Sequence, residues 1–422
     1  MQQHNSNMLH KVTVDPLPCH IKPDQKKFKN MYMYNILNYT PGSVALTTSD
    51  NSLSICDFQS ACTTPSSRIV AHTKTINDLC LSNDFSDMNG GGSEHPIVFT
   101  ASSDRTIKAW DFRCPLIQGT DATPPAPAMQ FTVSNEVQSV SLGCGGFLIA
   151  ASAGTDICFY DSRKAASVAS GSPNSNSSMV AKLQDCHTDM ITKLKFCGGN
   201  GKTGNNKILA SAGEDGLINL IDTSISDSES NVVSVLNIEC PIRDFDFFGD
   251  NNEGIYVMSS IETLSCWHYP SAQRLCTYND IREQFKVDYL VDCFMNEDRL
   301  QLCTGGFDGT GRILNVMPTE CEYYSTLQNH PANPNAIVPP RPVPVSLGVG
   351  MGQGATPTPI GHHDIIRSVC LLNSQASTKY LITGGEDSIM VLWDINKQQT
   401  QSQTQKTHSS HSTMNSNKGA RG

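Results

Sequence analysis

The sequence predicts an all-β fold assembled from repeated strand–turn–strand units, and three observations predict it. The stretch VFTASSDRTIKAWDFR (Val98 to Arg113) is echoed near the other end of the chain by YLITGGEDSIMVLWD (Tyr380 to Asp394). A seven-residue step from a turn Asp to a closing acid recurs as Asp50 to Asp57, Asp104 to Asp111, Asp215 to Asp222 and Asp387 to Asp394, and Asp308 to Asn315 keeps the step on an amide. A His followed at four and seven residues by aliphatics is written three times: His72, Ile76, Leu79; then His187, Ile191, Leu194; then His362, Ile366, Val369. Self-similarity of this kind marks a repeat architecture.

Each unit reads as an apolar strand, a tight turn and a second strand of period two. In the clearest copy Ile107, Ala109 and Asp111 alternate with Thr106, Lys108 and Trp110. No 3.6-residue periodicity competes over any long window, so the units are strands and not helices. Four residues before the turn Asp stands a hydroxyl, as Thr100, Ser211, Thr304 and Thr383; Leu46 breaks the rule in the first unit.

The order His, Ser/Thr, Asp, Trp-Asp resembles the WD40 repeat, whose family folds as β-propellers of four-stranded blades. The resemblance implies a seven-bladed WD40 β-propeller closed by an N-terminal strand. The Trp position can be followed as Cys56, Trp110, Tyr160, Ile221, Trp267, Leu314 and Trp393, one for each of seven blades. Gly154 and Ile261 take the turn-Asp place in blades 3 and 5, which are therefore placed by rhythm alone. In the resembling family the loop His, strand hydroxyl, turn Asp and strand Trp form a structural hydrogen-bonded chain. Here full sets are His72, Thr100, Asp104, Trp110 and His362, Thr383, Asp387, Trp393, while His187, Ser211 and Asp215 lack the Trp, with Ile221 in its place. Further stretches, among them CHTDMITKLKFC, ECPIRDFDF and LCTGGFDGTGRILN, make residues 35–394 similar to the family of WD repeat-containing protein 89.

The expected organisation is a flexible start at 1–8, a single propeller over 9–396 and a disordered Gln/Ser/Thr-rich tail at 397–422. Because only polar sequence follows Asp394, the last blade needs an outer strand from the other terminus, for which LHKVTV (Leu9 to Val14) is the candidate. Between blades 6 and 7 lies a Pro/Gly-rich insertion, 329–360, whose PPRPVP reads as a spacer before it reads as a ligand for a proline-binding domain.

Composition narrows function by exclusion. Forty acidic against thirty basic side chains give a formal net charge of -10, so neither nucleic acid nor an anionic membrane is an expected partner. The first residues lack a secretory pattern, and a cytoplasmic or nuclear location is expected. Sixteen cysteines are scattered singly without a CxxC pair and read as reduced, buried thiols. CGGNGKTG (Cys197 to Gly204) imitates a phosphate loop but has Phe196 where a Gly is required and leads into a strand. The recurring His/Ser/Asp trio lacks a nucleophile elbow. No catalytic residue, metal ligand or cofactor is expected.

The expected role is a non-catalytic scaffold that binds other proteins or peptides, monomeric within a complex. A propeller enzyme is the remote alternative. The nearer one rests on WDFR (Trp110 to Arg113) and its weaker echo YDSR (Tyr160 to Arg163). Such arginines, in propellers that dock on the adaptor of cullin-4 RING ubiquitin ligases, project from the strand end. Arg113 and Arg163 are therefore the candidate partner-binding residues, and a ligase substrate receptor is the alternative function.

Overall fold

The computed structural model describes residues 31–57, 67–82, 96–113, 126–164, 178–198, 207–225, 230–327, 362–373 and 379–395. The candidate closing strand Leu9–Val14, the insertion 329–360 and the tail 397–422 lie outside the described residues.

Alternation builds the strands. In the strand Thr106–Trp110, Ile107 and Ala109 are fully buried while Thr106 and Lys108 stay half-buried. Blade 1 holds β1 (Met33–Thr40), β2 (Ser43–Thr48), β3 (Ser52–Asp57) and β4 (Ser67–Val70). Blade 2 holds β5 (Ile76–Leu81), β6 (Val98–Ser102), β7 (Thr106–Trp110) and β8 (Met129–Thr132). Blade 3 holds β9 (Val140–Gly143), β10 (Leu148–Ala153), β11 (Asp156–Asp161) and β12 (Met179–Leu183). Blade 4 holds β13 (Ile191–Phe196), β14 (Ile208–Gly213), β15 (Leu217–Asp222) and β16 (Val232–Asn237). Blade 5 holds β17 (Ile242–Phe248), β18 (Gly254–Ser259), β19 (Leu264–His268) and β20 (Gln273–Tyr278). Blade 6 holds β21 (Tyr289–Asn296), β22 (Arg299–Gly305), β23 (Gly311–Val316) and β24 (Cys321–Leu327). Blade 7 shows β25 (Ile366–Asn373), β26 (Lys379–Gly385) and β27 (Met390–Asp394), three strands among the described residues.

Every sheet is an antiparallel meander in chain order, and the first strands pack on one another around the centre. Seven apolar cores lie between neighbouring blades and close the ring. The last joins Met33, Ile36 and Leu46 of blade 1 to Leu372, Ile382 and Met390 of blade 7. The chain enters blade 1 past the β26–β27 turn, where the Met31 N–H donates to Ser388 Oγ at 3.0 Å and that hydroxyl donates to the Met31 carbonyl at 2.6 Å.

The turn between the second and third strand of each blade carries one left-handed residue: Asn51, Arg105, Gly154, Gly216, Glu262, Gly309 and Ser388. A positive φ matches the twist of a tight hairpin, so these turns stay short even where a non-glycine residue must adopt it. One short helix, α1 (Ile281–Phe285), interrupts the β pattern between blades 5 and 6, where helices are not expected from the periodicity. Its five residues are too few to leave a periodic signal; Ile281 plugs the core below, and Lys286 at φ 52° ends it.

Candidate functional site

Antiparallel meandering puts two kinds of loop on opposite faces of the ring. The loops that enter each blade and the tight turns carrying Asp lie on one face, here the upper; the ends of the third strands lie on the lower.

On the upper side of blade 2, His72 Nδ1 meets Asp104 Oδ2 at 3.0 Å, His72 Nε2 meets Thr100 Oγ1 at 2.7 Å, and Trp110 Nε1–H donates to Thr100 Oγ1 at 3.0 Å. Burial lowers the pKa of His72 against the opposing pull of Asp104, so the ring is neutral. A neutral ring beside a carboxylate carries its proton on Nδ1, which leaves Nε2 to accept from Thr100. Burial of Asp104 would raise its pKa, but hydrogen bonds from His72 and Thr106 outweigh that and hold it well below the usual range. Blade 7 repeats the arrangement: His362 reaches Asp387 at 3.0 Å and Thr383 at 2.8 Å, and Trp393 Nε1–H donates to Thr383 at 2.8 Å. In blade 4, His187 reaches Asp215 at 3.0 Å and Ser211 at 2.9 Å. Where the Trp is missing, Asn219 Nδ2 approaches His187 Nε2 at 3.4 Å and donates to the Cys186 carbonyl at 2.7 Å, a substitute that the repeat pattern does not announce. All three His side chains are 0% exposed, which puts their acid–base capacity out of reach of a substrate.

The two arginines sit on the lower face in matching geometry. Arg113 Nε and Nη2 donate to Asp111 at 2.8 and 2.6 Å, and Arg163 Nε and Nη2 donate to Asp161 at 3.0 and 2.9 Å. In each case the Arg backbone N–H also donates to the same carboxylate at 3.0 Å, so the Asp two residues earlier aims the guanidinium. The Arg113 side chain is 49% exposed and that of Arg163 64%. Arg163 lies 4.8 Å from the centroid of Phe147, an exposed ring supplied by the preceding hairpin and absent from any Trp-Asp signature.

A third feature has no motif. The inner strands line the centre with a charge network in which Lys193 Nζ lies 3.0 Å from Asp78 and 3.8 Å from Asp244, and Lys195 Nζ lies 2.9 Å from Asp246. Asp292 accepts from the Tyr256 hydroxyl at 3.1 Å and from the Cys293 N–H at 2.7 Å. Burial, reinforced by the Asp244 charge, pushes the Asp292 carboxyl up to about 7. Above this network opens a cavity of about 480 Å³ lined by Tyr34, Asn77, Gln138, Met190, Arg243 and Ser260 among others. Among the described residues no group of three or more His, Cys, Asp or Glu is arranged to hold a metal, and no helix is long and apolar enough to cross a membrane.

Comparison with known proteins agrees with this architecture. The family described as WD domain, G-beta repeat, matches residues 63–111 and 355–394. The WD repeat-containing protein 89 homolog of Dictyostelium discoideum is 27% identical over 241 residues, 55% of this chain and 59% of that protein. The WD repeat-containing protein GTS1 of Arabidopsis thaliana is 27% identical over 348 residues, 78% of this chain and 73% of that protein. The chain thus spans less than two thirds of the Dictyostelium relative.

Proposed function

We propose that this chain, a seven-bladed propeller of WD40 repeats similar to WD repeat-containing protein 89, is a non-catalytic scaffold that holds other proteins on its upper face. The observation that carries the proposal is the set of large apolar side chains on that face. Met190, Ile261 and Phe307 are 36%, 63% and 66% exposed, and Met190 and the neighbour of Ile261, Ser260, line the same central cavity. Exposed apolar groups around a rigid concave mouth suit a peptide or loop of a partner. WD40 propellers generally bind other proteins and are generally non-catalytic, in keeping with this role. The scaffold would work in the cytoplasm, the nucleus or both.

A second reading is favoured by one observation of its own: Arg113 and Arg163 adopt the same Asp-aimed, exposed geometry on adjacent blades. On that reading the lower face docks a cullin-4 ligase adaptor and the upper face holds the substrate. Affinity isolation with mass spectrometry tests both, using the parent chain, an Ile261→Asp, Phe307→Asp variant and an Arg113→Glu, Arg163→Glu variant, each matched in melting. The scaffold reading expects the upper-face variant to lose the principal partners, and partners unchanged by it would overturn that reading. The ligase reading expects the adaptor with the parent and not with the arginine variant; absence of the adaptor from both rejects it.

A further inference from the structure

Four of the scattered cysteines meet in the core between blades 5 and 6: Cys266, Cys293 and Cys321 are buried there, with Cys276 packed at its margin. Two of them form a pair. Cys266 on β19 and Cys276 on β20 stand directly opposite in the antiparallel register. Directly paired residues have Cα atoms about 4.5–5.5 Å apart, inside the window of about 4.4–6.8 Å that a disulfide requires. A register shift between Cys266 and Trp267 leaves Leu275 as the extra residue beside the pair. β20 is the outermost strand of its blade, Leu275 is 51% exposed, and Cys276 itself is half-buried, so a small reagent reaches it from the rim.

From this geometry we propose that Cys266 and Cys276 form an oxidative modification site, a cross-strand dithiol that a hydroperoxide converts to a disulfide. The two thiols differ in role. Cys276, half-buried on the outermost strand, is the thiol that the peroxide meets, and its interaction with Cys266 lowers its pKa, whereas Cys266 is buried behind it and its pKa is raised. Cys276 is therefore the attacking thiolate and Cys266 the resolving thiol. The Cys276 sulfur attacks one peroxide oxygen, the O–O bond breaks, and the departing oxide takes up the proton that Cys276 released. Cys276 is left as a sulfenic acid. The Cys266 sulfur then attacks the Cys276 sulfur, the S–O bond breaks, and hydroxide leaves with the Cys266 proton as water. Two thiols are oxidised by two electrons, and one hydrogen peroxide becomes two waters. The bond would staple the outer strand of blade 5 to its neighbour.

The test uses the reduced full chain, hydrogen peroxide as the probe and time-resolved differential alkylation with peptide mass spectrometry. Trypsin cuts at Arg274, between the two cysteines, so the bond appears as a cross-linked pair of peptides. The exposed Cys144 is the internal reference. At pH 6, where a thiol of lowered pKa keeps more of its thiolate, Cys276 should be oxidised several-fold faster than Cys144. The cross-linked pair should be the main product, Cys266→Ser should leave a dimedone-trappable sulfenate on Cys276, and Cys276→Ser should keep Cys266 reduced. A Cys276 rate no greater than that of Cys144, or a bond from Cys276 to Cys293 or Cys321 in place of Cys266, would overturn the proposal. The parent time course decides between these outcomes even if a variant fails to fold.

Discussion

Thr383→Val in blade 7 removes a hydroxyl and nothing else of comparable size. That hydroxyl, 0% exposed, serves two buried partners at once, His362 Nε2 at 2.8 Å and Trp393 Nε1 at 2.8 Å. Valine keeps the shape and leaves an acceptor and a donor without partners in a site closed to water. Each such group costs about 1–3 kcal/mol, so the two together should destabilise the ring by roughly 2–4 kcal/mol. Ser211→Ala in blade 4 is the control, because only His187 Nε2 is orphaned and Asn219 already lies 3.4 Å from it. Its loss should be about 1 kcal/mol. With a urea slope of about 3 kcal/mol/M, the midpoint should fall by about 1 M for Thr383→Val and by about 0.3 M for Ser211→Ala. Circular dichroism through a urea series at pH 7.5 measures both. Equal midpoints for the two variants would refute the reasoning, since the difference follows from whether a Trp shares the hydroxyl and whether Asn219 stands by to replace it.

Three more outcomes are expected. Asp292, pushed up to about 7 in the folded chain, holds its proton more tightly there than when unfolded, where its pKa is about 4. Its favourable contribution is complete below about pH 4 and is lost as pH rises to 7, so the stability of Asp292→Asn relative to the parent should rise by roughly 1–3 kcal/mol between pH 4.5 and pH 8 in urea unfolding. Gly309 has φ +81° and an added Cβ would sit 2.5 Å from the His362 carbonyl oxygen, so Gly309→Ala should cost roughly 2–4 kcal/mol, seen as a lower thermal midpoint. Arg113→Glu with Arg163→Glu should leave the urea midpoint within about 0.2 M of the parent, because exposed ion pairs contribute little to stability.

What was legible in the sequence and what was not divides along a physical line. Contacts within a blade are local in sequence: the seven-residue step from Asp104 to Asp111 is the length of one turn and one strand, and it places Thr100, Asp104 and Trp110 at fixed points of a single hairpin. Period and spacing therefore announce the blades, and the His spacing announces the loop that reaches back to the turn. Contacts between blades carry no such rhythm. Lys193 and Asp78 are 115 residues apart and meet because first strands of different blades converge at the centre. In the alternating pattern each reads as an ordinary solvated position. Cys266 and Cys276 look scattered because nothing in their ten-residue separation reveals that the hairpin register, with its extra residue at Leu275, sets them opposite each other. The left-handed turn residues Arg105, Glu262 and Ser388 are equally silent, since the short connection and the strands on either side impose the positive φ against side-chain preference. Ring closure turns a local code into long-range neighbours. Two groups of perturbed chemistry, Asp292 near the centre of the ring and Cys276 at the rim, are consequently among those that the repeat signature leaves unmarked.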